Sequence, residues 1–65
     1  MDPTALTFDN VRVIKRGDVT MLCEIGVRVV AVPPLRILPG TTVSQTGDRG
    51  RLVLPPDVAH RLGLA

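Results

Sequence analysis

From Phe8 onward, apolar and polar residues take turns along the chain. Val11 and Val13 flank Arg12, and Ile14 leads into the basic pair Lys15-Arg16. A period of two is the mark of a strand with one buried face. Gly17-Asp18 then suits a tight hairpin turn. Beyond it, Val19, Met21, Cys23 and Ile25 fall on one face, with Thr20, Leu22 and Glu24 on the other. This predicts a second strand. Gly26-Val27 offers another two-residue turn, with glycine where a positive φ is needed. The run Arg28 to Val32 is dense in β-branched residues and is expected as a strand buried on both faces. Pro33-Pro34 stops it, because proline cannot donate to a ladder.

The second half is more punctuated. Leu35, Ile37 and Leu38 predict a short 3₁₀ connector plugging one end of the core. Pro39-Gly40 is a type II turn signal. Thr41 to Thr46 is a β-prone run, Gly47 to Gly50 a turn, and Arg51 to Leu54 a last strand. Pro55-Pro56 ends that strand and pre-sets φ for a helix. Asp57 in the first turn and Arg61 in the last suit the helix dipole. Gly63 is a natural terminating residue. Val58, Leu62 and Leu64 form the face that such a short helix must dock to exist at all. The expected fold is mainly β: a small five-stranded β-barrel with a short C-terminal α-helix. Residues 1–6 read as a tail and 7–65 as the barrel domain.

Composition changes the picture in one respect. A chain of 65 residues, 45% hydrophobic, has little core to stabilise it. Cys23 is the single cysteine and His60 the single histidine, so neither a disulfide nor a zinc site can help. Oligomerisation is the remaining common device, and a homo-oligomer, dimer or higher, is expected. No cofactor and no metal are expected. The longest apolar run, Val29 to Val32, is too short for a membrane. No basic n-region and apolar h-region open the sequence, so a cytoplasmic setting is expected.

Candidate chemistry is sparse. Ser44 is the one serine, Cys23 alternates in phase with core positions, and the six acids stand singly. Nucleophile, base and orienter are not brought near one another by any spacing, so an enzyme is not expected. Net charge is +2, and Lys15 is the one lysine among eight basic residues. Arg12, Lys15 and Arg16 gather at the first hairpin; Arg49 and Arg51 flank the last turn. Together these five are the candidate nucleic-acid contacts. Their alternative role is to solvate strand edges. Phe8 is the single aromatic, which disfavours base-stacking and proline-peptide binders.

The stretch from Val43 to Leu64, V-S-Q-T-G-D-R-G-R-L-V-L-P-P-D-V-A-H-R-L-G-L, resembles the first half of the AbrB/SpoVT swapped-hairpin family of DNA-binding regulators and antitoxins. Gly50, Arg51, Leu52, Leu54, Pro55, Val58, Leu62, Gly63 and Leu64 fit that pattern. The family places basic residues before the turn, where this chain has Ser44 and Gln45, and adds a second hairpin after the helix. Here the other strands lie upstream, in a permuted order. The resemblance implies a swapped-hairpin-like barrel and a dimeric DNA-binding regulator or antitoxin-like module, with Arg51 as the best-supported contact. The alternative is a non-catalytic module that assembles or holds a protein partner.

Overall fold

A computed structural model describes residues 5–64. Four antiparallel strands form one open sheet in the order β3-β2-β1-β4, followed by one short helix. β1 is Leu6–Arg16, β2 Met21–Ile25, β3 Arg28–Val32, β4 Arg49–Leu54, and α1 is Pro56–Arg61. A 3₁₀ turn occupies Pro34–Arg36.

β1 serves two partners. Its first half pairs with β4, from Leu6↔Leu54 to Arg12↔Arg49, and its second half with β2, from Arg12↔Glu24 to Arg16↔Met21. Each half carries a bulge, at Phe8/Val11 and at Val13/Lys15. Asn10 lies in the first with φ +57, a conformation that asparagine tolerates better than most residues. Bulges bend a strand and raise its twist. They curl the sheet around one apolar face, where Val11, Val13, Met21, Cys23, Val32, Leu52 and Leu54 are buried. Val43 and Val58 close that face from the connector and from α1, with Leu62 and Leu64 packed beside them.

Several expected elements are in place. Gly26 has φ +63 between Ile25 and Arg28, as the second hairpin requires. Gly40 has φ +101 after Pro39. The 3₁₀ turn begins at the second residue of the diproline, and the helix starts at Pro56. Gly63 takes φ +79, and a Cβ there would lie 3.1 Å from Nη1 of Arg28.

Other expectations need correction. β1 begins at Leu6, inside the stretch expected as a tail, and residues 1–4 lie outside the described residues. Val19 is not in the core. Arg16 pairs with Met21, so the first hairpin takes four loop residues, and Val19 is 79% exposed within it. Leu35 is 98% exposed, so it plugs nothing; Ile37 is the connector residue that packs on the core. β3 is buried on one face, not two: Val30 and Val32 point inward, while Val29 is 57% exposed.

The five-stranded barrel is also corrected, because Thr41–Thr46 is not a strand. The segment does lie along β4. Leu38 N–H donates to Val53 O at 3.0 Å and Thr42 N–H to Arg51 O at 2.8 Å. The acceptors facing it, however, are side chains. Oγ1 of Thr41 takes the N–H of Val53, and Oγ1 of Thr42 the N–H of Arg51, each at 2.9 Å. In a fifth strand, backbone carbonyls would fill those places. Hydroxyls that imitate carbonyls release the segment from strand geometry, a known competition with ladder formation. Among the described residues the sheet therefore stays open, with β4 covered and β3 bare.

Candidate nucleic-acid interface

Residues two apart on a strand share a face, and so do directly paired residues. Since Val13, Met21, Cys23 and Leu52 face the core, their neighbours Arg12, Leu22, Glu24 and Arg51 face outward. Arg49 is the direct cross-strand partner of Arg12, and Lys15 is the partner of Leu22. The outer face thus joins Arg12, Lys15, Arg49 and Arg51, all exposed. Two sites far apart in sequence meet because β1 lies between β2 and β4.

Like charges directly opposite each other repel. Glu24 relieves Arg12, with its Oε1 3.5 Å from Nε of Arg12, both half exposed. Asp9 is exposed in the bulge across from Arg51 and makes no ion pair among the described residues. Arg51 is tethered by its Nε, which donates to Gly40 O at 2.8 Å. Its other guanidinium nitrogens have no protein acceptor among the described residues. An arginine held at Nε with its fork free is pre-organised for a phosphate or carboxylate.

Arg16 does not join this set. It pairs with Met21 at the core side; its Nη1 donates to Ser44 O at 3.2 Å and its N–H to Thr46 Oγ1 at 2.9 Å. It fastens the loop before β4. In that loop, Asp48 accepts the N–H groups of Ser44 and Gln45, each at 2.9 Å. These bonds hold the Asp48 carboxyl below its ordinary range, Gln45 first and Ser44 second. Gly47 and Asp48 are bonded to Val13 in both directions at 2.8 Å. The turn is thereby fixed beside Arg12 and Arg49.

His60 is exposed on α1. Cys23 is fully buried, and that burial pushes its thiol up. Sequence reasoning missed the tether of Arg51 to Gly40 and the role of Asp48 as anchor of the loop. It also missed the open edge of β3. A signal for that edge existed: a strand set between a two-residue turn and a diproline has one obvious partner, β2.

A second surface feature lies away from the cations. Leu35, Arg36, Ile37, Leu38, Pro55, Pro56 and Asp57 line an open groove of about 570 Å³. Arg36 and Asp57 clasp across its rim at 3.1 Å. No helix among the described residues is long and apolar enough to cross a membrane. Comparison with family models, with curated proteins and with solved structures returns no match.

Proposed function

We propose that the chain is a non-catalytic DNA-binding module of the AbrB-like kind, working as a regulator or antitoxin-like part, and that its outer sheet face carries the contact. The supporting observation is the convergence of Arg12, Lys15, Arg49 and Arg51 on one exposed face. Side chains of this type on a sheet surface meet phosphates, and phosphate contacts position without reading sequence. The reading rests on this face and does not depend on an exchanged hairpin.

The test is a titration of random duplex DNA. A four-cation contact gives a log-affinity against log-salt slope of about −3 to −4. Arg49→Ala and Arg51→Ala should each weaken binding on any duplex. Arg16→Ala should leave it unchanged if the loop stays folded. Absence of a complex at about 50 mM salt would remove the reading, as would an affinity indifferent to Arg49 and Arg51.

The second reading is an assembly or protein-interaction module. The bare edge of β3 favours it, with Val29 exposed on the strand and Val27 fully exposed in the turn before it.

A further inference from the structure

β3 presents its outer edge to solvent, and the pattern of free groups along it can be read from the hairpin. A two-residue turn closes with the N–H of its fourth residue bonded to the C=O of its first. Ile25 and Arg28 flank Gly26-Val27, so they form a hydrogen-bonded pair. Such pairs alternate along an antiparallel ladder. Cys23↔Val30 and Met21↔Val32 are therefore the next two. It follows that Val29 and Ala31 aim their N–H and C=O groups away from β2. Among the described residues, no bond from outside the sheet reaches them.

We propose that this edge is completed by a second copy of the chain, pairing antiparallel with the two-fold axis at Val30. The inference names the occupant of the edge under the assembly reading and stands whether or not the outer face binds DNA. In this register Val29 lies opposite Ala31 of the second copy, and Ala31 opposite its Val29. Each pair exchanges both of its backbone bonds, so every outward N–H and C=O of Val29 and Ala31 finds a partner. The larger side chain meets the smaller on both sides of the axis. Val27, fully exposed at the turn, comes opposite the second copy's Pro33, which gives that valine an apolar neighbour.

Neighbouring registers fail on specific groups. With the axis at Ala31, Val29 would face Pro33, which has no N–H to offer its carbonyl. With the axis at Val29, the two Arg28 side chains would stand only two residues, about 7 Å, apart. At Val30 they are about 14 Å apart along the strands. That exceeds the screening length of ~10 Å. Natural edges are guarded by lysine, proline or a bulge. β3 has none of these within its span, whereas the opposite edge of the sheet is covered.

A five-residue edge buries less than ~1,200 Å², the range of weak and transient contacts. The dimer should dissociate with a Kd of about 10–100 μM. Sedimentation of the full chain, without DNA, from about 5 μM to about 1 mM should move from one 7.0 kDa chain to two and no further. Over the same range, amide exchange at Val29 and Ala31 should slow about five- to ninefold as the edge fills, with Val30 unchanged. Ala31→Pro deletes an outward donor without breaking a bond to β2, and should leave a folded monomer. Val29→Lys should do the same, and serves if the proline variant does not fold. A chain that stays monomeric at about 1 mM overturns the proposal. So does a dimer that both folded variants keep at the parent's Kd, or one that leaves the Val29 and Ala31 amides exchanging freely.

Discussion

Asn10 and Gly50 sit across the first bulge region from each other and are constrained in opposite ways. Asn10 adopts φ +57, so a β-branched residue there is strained. Asn10→Val should cost ~1–2 kcal/mol in a thermal melt, and Asn10→Gly should cost nothing or stabilise slightly. Gly50 needs no unusual φ; it needs space. A Cβ at that position would overlap Oγ1 of Thr42, the atom that accepts the N–H of Arg51. Gly50→Ala should therefore cost ~1–3 kcal/mol and loosen the Thr42 contact. Asp48 and Asp57 set the acid limb. Asp48 is held low by backbone bonds from Gln45 and Ser44, and Asp57 chiefly by its hydrogen bond from Arg36. A carboxyl whose folded pKa is depressed stabilises above its unfolded value of about 4, and that stabilisation is lost as pH falls through the folded value. Melting temperature should therefore drop as pH is lowered from about 5 toward 3, and the double change Asp48→Asn with Asp57→Asn should flatten the drop.

At the level of elements, legibility followed how local the cause was. Turns that depend on one glycine, such as Gly26, or on one proline pair, such as Pro33-Pro34, were readable because the conformation is set by the residue itself. So was α1, whose start, charges and end are all written within its own span. The fifth strand was not readable. Thr41 and Thr42 have high β propensity, but their hydroxyls are used to satisfy β4, and that use is visible only once β4 lies beside them. Thr41→Val should leave the part-buried N–H of Val53 without its acceptor and cost ~1–3 kcal/mol in denaturant unfolding. A change below ~0.5 kcal/mol would mean that water replaces the hydroxyl freely. β3 failed for the converse reason. Its β-branched density suggested burial on both faces, yet strand order put it last, and order is a property of all the strands together.

At the level of the molecule, the candidate site was legible as a list of residues and not as a surface. Charge clustering picked Arg12, Lys15, Arg49 and Arg51, which the sheet unites, and also Arg16, which it turns aside to hold the loop. Nothing local distinguishes Arg16 from Lys15; the bulge between Val13 and Lys15 decides which face each one takes. Pairing at β3 about an axis normal to the sheet would keep both outer faces on one side. In the order β4-β1-β2-β3 doubled about that axis, the two β1 strands stand five spacings, about 24 Å, apart. Two basic patches would then face the same duplex. The fraction of DNA bound should rise more steeply than linearly with protein concentration near the dimer Kd, and Ala31→Pro should make the initial rise linear. A titration at fixed low salt, run with both proteins, checks this.

The cover that Thr41 and Thr42 place on β4 has a consequence best put as valence. A unit with one sticky edge is monofunctional: it couples once and growth stops. A unit with two is bifunctional and can extend without limit, as open head-to-tail contacts do. The threonine cover is thus a chain terminator built into the monomer. Replacing both residues, Thr41→Val with Thr42→Val, should expose the N–H groups of Arg51 and Val53 and convert a self-limiting pair into a growing ribbon. Light scattering at about 100 μM should then climb with time, where the parent holds steady. If the folded double variant scatters no more than the parent, the terminator role is refuted. If it does grow, Val29→Lys in the same chain should cut the ribbon back to pairs joined through β4.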